Sequence, residues 1–372
     1  MTRYSVQTER EGTDRFFYIL NLETMEMELL SSRYLMHRVR SNRSPNTIKR
    51  EAMSLCYYLE YLSEKQMEMS DVYGLAYDEQ SEHFVKFLYW LKAGNHRQEK
   101  EKRNPHNGTC NAYLKDVFRF HLFMEENDNN LGNLRVLAYN QIVVPNGVGV
   151  KRIIRSKSFR GYLKAEERNV RAAEHSEILT ILQACTNTRD QLLILLIAET
   201  GFRIGEILGV NYTKDIDYRN KTIRVWFRED NENDARAKNA ECRRSRISDE
   251  AFEFLMHYLA EYRELLQKQT SLFINITGET AGQPMKVGSV YDMLERMEKK
   301  TEIKITPHML RRYFSVIRWN DGWSLELISQ ALGHKHLDTT VKYLGLLDDK
   351  LMEASKEFYR KHTDDYGIRN LL

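Results

Sequence analysis

Residues 332–346 read LGHKHLDTTVKYLGL: a Leu-Gly-His run, an Asp338-Thr339-Thr340 turn of the kind that opens a helix, and Tyr343 nine residues after His334. Alone the tyrosine says little, because the chain has 21 of them and most tyrosines are core or surface rings. Its weight comes from three other stretches, TGFRIGEIL (200–208), ARAKNAECRRSRIS (235–248) and PHMLRRYF (307–314). Arg203 and Arg311 each offer a planar, permanently charged fork suited to two oxygens of one phosphate. His308 lies three residues before Arg311 on one predicted helix, so the two share a face.

At 372 residues the chain is long enough for two or three domains. Apolar residues at 42%, charged residues at 29% and only 5 prolines describe an ordered globular protein. No run approaches the roughly 18 to 20 apolar residues that span a bilayer, and the first ten residues, MTRYSVQTER, are too polar for a signal segment. The expectation is a cytoplasmic protein with no membrane partner. Cys56, Cys110, Cys185 and Cys242 are scattered without a CxxC pair, which predicts reduced thiols rather than a disulfide framework or a zinc site. The net charge of +3 is small, but KRIIRSKSFRGYLK (151–164) and KAGNHRQEKEKRNPH (92–106) concentrate cations. Such runs either solvate a surface or meet phosphate.

Apolar spacing organises the rest. Residues 1–30 form a lead-in with a possible hairpin in FFYILNLETMEMELL (16–30). Residues 31–135 read as a helical domain. Ser44 and Pro45 start a helix with Ile48, Ala52, Leu55, Leu59 and Leu62 on one face, and further helices run over 82–92 and 109–126. Periodicity then lapses over 136–174, which reads as a basic interdomain linker. Residues 175–360 form a second, mainly helical domain. Its strands, over 222–227 and 243–248, flank the polar connector REDNENDARAKNAEC (228–242), and 361–372 is a tail. The fold class is mainly α with a small β-sheet, in two domains.

Taken together, the four stretches resemble the tyrosine recombinases, the phage integrase family, whose catalytic domain carries an Arg in a T-G-x-R-x-x-E turn, a hairpin Lys, an H-x-L-R box and an L-G-H box followed by a nucleophilic Tyr. The resemblance covers about 174–360, and the helical half looks like the family's DNA-contacting core-binding domain. It implies a two-domain clamp on duplex DNA. Arg203 and Arg311 would hold the scissile phosphate, with His308 donating to it or shuttling the tyrosine's proton and His334 bonding a nonbridging oxygen. Tyr343 would attack phosphorus to give a 3′-phosphotyrosine. Lys238 would protonate the leaving 5′ oxygen, since an ammonium can release a proton where a guanidinium cannot. Lys221, just before the first strand, stays open as the alternative. The covalent link conserves the bond energy, so no cofactor, metal or ATP is implied.

Other readings bear on single residues. His334 and His336 have His-x-His spacing, but no third metal ligand stands out. Glu206 reads as an orienting partner for Arg203. Lys115, Arg119, Lys151, Arg152, Arg155, Lys157 and Arg160 are candidate DNA contacts. The family resemblance implies a homotetramer on two DNA sites, with possible accessory directionality proteins. A helix over about 347–358 would dock on its own domain or on a neighbouring subunit. The long linker and connector look most like integrases and transposases of mobile elements. A chromosome-dimer-resolving recombinase and a type IB topoisomerase-like enzyme are the alternatives.

Overall fold

The computed structural model describes residues 3–12, 14–97, 104–127, 132–145, 151–166, 170–226, 242–334, 337, 340–341 and 360, without the side chains of 14, 139–145 and 151–157. The chain divides into two compact units, Met1–Arg168 and Asn169–Leu372.

The first unit opens with β1 (Tyr4–Glu11) and β2 (Asp14–Asn21), paired antiparallel from Tyr4↔Asn21 to Glu11↔Asp14, and the short β3 (Glu26–Met27) adds to β2. The lead-in is thus a three-stranded sheet, with Phe17 and Ile19 alternating into the core. Five helices follow: α1 (Leu29–Arg40), α2 (Pro45–Glu64), α3 (Met69–Gly74), α4 (Tyr77–Lys92) and α5 (Asn107–Asn127). Ser44 caps α2 by accepting from the Thr47 amide, and Pro45 occupies the first helical position. Ile48, Ala52, Leu55 and Leu62 are buried, and they join Phe84, Phe87 and Leu91 of α4 and Leu114, Val117 and Phe118 of α5 in one core.

The segment read as a linker differs from that expectation. β4 (Tyr139–Pro145) and β5 (Lys151–Lys157) pair as an antiparallel ribbon. The chain then returns to the first unit: the Phe159 amide donates to Val136 O, and its buried ring packs on Phe118 at 5.2 Å between centroids. Asn111 both donates to Leu163 O and accepts from Leu163 N. A two-stranded ribbon has no helical period, so its cations alone suggested a tether.

The second unit contains α6 (His175–Ala184), α7 (Thr188–Thr200), α8 (Ile204–Ile207), the sheet β6 (Ile216–Asp217), β7 (Thr222–Val225) and β8 (Arg243–Arg246), then α9 (Asp249–Glu261), α10 (Arg263–Leu266), α11 (Val287–Thr301), α12 (Pro307–Asn320) and α13 (Leu325–Leu332). Helix α7 is apolar on nearly every side, because it is the buried centre of this unit. It ends at Gly201 in the left-handed region (φ 64°), where an added Cβ would lie 2.6 Å from the Phe314 ring. Only glycine allows this turn to lie against α12. Among the described residues, no helix is long and apolar enough to cross a membrane.

Candidate active site

The Gly201 turn delivers Arg203 to the start of α8. Its backbone N–H donates to Glu206 Oε2 at 2.7 Å and its Nη1 to Glu206 Oε1 at 2.8 Å. Glu206 is 3% exposed and also pairs with Arg243 of β8, while Arg311 Nη1 stands 3.8 Å away. One buried carboxylate therefore sits among three guanidinium groups. Burial raises its pKa, but Arg243, the Arg203 amide and charge, and Arg311 outweigh that and hold it below the usual carboxylate value.

Helix α12 supplies two of the expected residues. Thr306 caps it by accepting from the Met309 amide, and Pro307 leads into His308, which is exposed, with Arg311 one turn further in and 2% exposed. Arg311 donates to Gly201 O at 2.6 Å and to Leu332 O at 2.7 Å, joining the C-terminal ends of α7 and α13. Desolvation lowers the His308 pKa, as do Arg311, Arg312 and Arg203.

Helix α13 ends at Gly333, again left-handed (φ 62°), where a Cβ would stand 2.7 Å from Arg243 Nε. That turn places His334 against Arg311. Arg311 Nη2 lies 3.1 Å from His334 Nε2, and His334 Nδ1 lies 2.8 Å from Thr340 Oγ1. A guanidinium only donates, so Nε2 accepts and the neutral ring carries its proton on Nδ1, toward the buried Thr340. Desolvation, then Arg311, Arg203, Arg243 and His308, depress the His334 pKa to about 3. A cavity of about 440 Å³ opens beside this cluster, lined in part by Arg243, Ser329, Gly333 and His334.

Arg203, His308, Arg311 and His334 thus fall into one electrostatic group. Tyr343, Lys238 and His336 lie outside the described residues, as do the connector 227–241 and, apart from residue 360, the segment from 342 onward. Lys221 is engaged by Asp249 at 3.0 Å and lies over the Phe252 ring. Arg243 is the residue that motif reading passed over. It pairs with Glu206, donates to Ala331 O at 2.8 Å and covers the Phe202 ring. Its signal in the sequence, the first Arg of RRSRIS, is one cation in a basic strand. Of the candidate DNA contacts, Lys115 lies over Tyr162, Arg119 pairs with Asp116, and Arg160 is exposed. The side chains of Lys151, Arg152, Arg155 and Lys157 are outside the described set.

Residues 168–350 match the family model described as the phage integrase family. Over 353 residues the chain is 27% identical to transposase A from transposon Tn554 of Staphylococcus aureus, covering 88% of this chain and 91% of that protein. It is 31% identical over 191 residues to tyrosine recombinase XerA of Saccharolobus solfataricus, covering 50% of this chain and 56% of the relative. The fold is similar to that of the Tn1549 transposon integrase in complex with transposon right end DNA (TM-score 0.59, 17% identity, 88% of this chain and 98% of that one). It is also similar to that of the XerH site-specific recombinase bound to palindromic difH substrate (TM-score 0.57, 19% identity, 88% and 84%). With residues 168–350 matching the family model and the fold matching that of solved recombinases, the chain belongs to the tyrosine recombinase, or phage integrase, family.

Proposed function

We propose that the chain is a site-specific DNA recombinase of the transposase and integrase type, acting through Tyr343. The Tyr343 oxygen attacks the phosphorus of a phosphodiester, the P–O5′ bond breaks, and a 3′-phosphotyrosine remains. The tyrosine proton passes to His308 and the departing 5′ oxygen takes one from Lys238. Rejoining reverses the step, with a 5′ hydroxyl attacking and the tyrosine leaving. Arg203 and Arg311 neutralise charge on the nonbridging oxygens, where electrostatic preorganisation acts most strongly. His334 completes that shell by donating from Nε2 to a nonbridging oxygen, its single proton moving from Nδ1 to Nε2 as Thr340 turns to donate to Nδ1 and the Arg311 bond is released. The observation that carries this reading is the cluster of three arginines and a histidine around buried Glu206. The engagement of Lys221 with Asp249 favours Lys238 as the acid.

Similarity along nearly the whole of a Tn554 transposase favours a mobile-element enzyme over a chromosome-dimer resolvase, because the Xer-type relative matches over half the chain. Duplex DNA carrying the element ends and the target is the partner. Lys115, Arg119, Arg160 and the strand β5 cations Lys151, Arg152, Arg155 and Lys157 contribute phosphate contacts. Assembly is as a homotetramer in the cytoplasm, with accessory proteins setting direction.

The test uses a duplex of the element end nicked beside the cleavage point, which traps the covalent product. Wild type forms a denaturation-resistant adduct without ATP or added metal, and Tyr343→Phe forms none. An adduct with the Phe variant refutes the assignment. Recombinant product from two sites separates this activity from supercoil relaxation.

A further inference from the structure

The first unit holds a second buried ionic cluster that this chemistry does not use. Glu51 of α2 and Asp116 of α5 are both fully buried. Asp116 takes the Nε and Nη2 edge of Arg50 at 2.8 and 3.0 Å, accepts from Ser54 Oγ at 3.1 Å and pairs with Arg119 Nη1. Glu51 takes the same edge of Arg38 at 2.8 and 2.9 Å, accepts from Tyr34 and lies 3.7 Å from Arg119. The acids are sealed, whereas the Arg50 and Arg119 side chains are each 45% exposed.

Burying two carboxylates costs several kcal/mol each, and an apolar pair commonly serves stability as well. The arrangement does something an apolar pair cannot. It holds the Nε and Nη2 edge of Arg50 and the Nη1 of Arg119, and Arg50 Nη1 has no protein partner among the described residues. Lys115, one turn before Arg119 on α5, adds a further cation. Three arginines and Lys115 against two carboxylates leave a net charge of +2.

We propose that Arg50 and Arg119 form a pre-aimed binding pair for the phosphate backbone of duplex DNA, with Glu51 and Asp116 as the positioning residues behind them. This rests on the reading of DNA as the ligand. It assigns sequence-independent contacts to a defined patch on α2 and α5 and gives the two buried acids a role in binding.

The test measures the affinity of the full chain for labelled duplexes, one with the element end and one scrambled, between 50 and 200 mM salt. Each lost phosphate contact lowers the slope of log K against log salt by about 0.9, so over this range R50Q and R119Q each weaken roughly three- to four-fold less than wild type. The effect is equal on both duplexes. D116N removes an acid beside a DNA-binding face, which by charge alone would tighten binding. Loss of aim weakens it instead. Should D116N fail to fold, R50Q carries the test, because Arg119 and Ser54 still hold Asp116. An unchanged slope in R50Q and R119Q, a loss confined to one duplex, or tighter binding by folded D116N overturns the proposal. Binding slopes and adduct formation are read separately on wild type, so a wild type that binds duplex DNA but forms no Tyr343 adduct indicts the recombinase reading and not this one.

Discussion

Replacing Glu206 with Gln tests the second unit's central feature, a single carboxylate that compensates three arginines. Glutamine keeps the shape and one acceptor but removes the charge that pairs with Arg203, Arg243 and Arg311. At separations of 3 to 4 Å and an effective dielectric near 20, each close pair has a gross attraction of about 4 to 6 kcal/mol. Desolvation offsets much of this, and breaking a buried pair costs about 3 to 5 kcal/mol net. For a unit of this size that lowers Tm by roughly 6 to 20 °C. Hydrogen exchange followed by unit shows the loss in Asn169–Leu372 and spares Met1–Arg168. The sign with pH is fixed by the depressed carboxylate. Its contribution is full above the ordinary value of 4.5 and is lost as pH falls through the lower folded value, so the difference between E206Q and wild type shrinks in acid. Cleavage of the nicked duplex falls by about 10²- to 10³-fold as Arg203 and Arg311 lose their aim. DNA affinity, spread over phosphate contacts along the duplex, changes little beside the rate. A variant that melts and cleaves like wild type refutes the hub.

Three further outcomes follow from the same geometry. R243K keeps the charge but loses the fork shared between Glu206 and Ala331 O; at about 1.5 to 3 kcal/mol for a charge-assisted bond, cleavage drops roughly ten- to hundred-fold with DNA affinity held, and an unchanged single-turnover rate contradicts it. G333A forces a Cβ into the left-handed region against Arg243, costing about 1 to 2 kcal/mol or more, which a Tm within a degree of wild type would exclude. In the first unit, burial lowers the pKa of His83 and His96 to about 4 and of His121 to about 3. Their folded forms stay neutral while the unfolded chain protonates near 6.5, so stability is flat above that pH. It declines below, by about 2 kcal/mol per histidine at pH 5, and urea titrations of H121N that track wild type from pH 6.5 to 5 count against this.

Legibility in the sequence followed the range of the forces involved. Helices with one buried face were readable because their spacing is local: α2 begins where Ser44 and Pro45 place it, and α13 ends at Gly333. α1 was hidden, since LLSSRYLMHRVR buries Ser31, Ser32, Tyr34 and Leu35, a mixed stripe that hydrophobic periodicity does not register. β1 was hidden because YSVQTERE is polar and gains its place by pairing with β2. In the site, Arg203, His308, Arg311 and His334 stood in short boxes. The contacts that join them, Arg311 to Gly201 and Leu332 and Arg243 to Glu206, span 21 to 110 residues and leave no local trace.

The same long-range blindness explains why sequence reading favoured cations over acids. An arginine destined for phosphate is recognisable by type, but its side chain carries about 2 kcal/mol of rotamer entropy that must be removed before it can be aimed. Each unit removes it in the same way, with a carboxylate at most 3% exposed bonded to a guanidinium: Glu206 in the second, Glu51 and Asp116 in the first. On a helix Glu51 and Asp116 look like ordinary surface charges and only burial shows otherwise, whereas Glu206 stands three residues after Arg203, where its pairing was legible. Under the proposed function their consequence is a division of labour in which arginines meet the DNA and buried acids fix how they meet it. Substituting the acids should therefore change catalysis or salt dependence without removing a single group that touches the substrate.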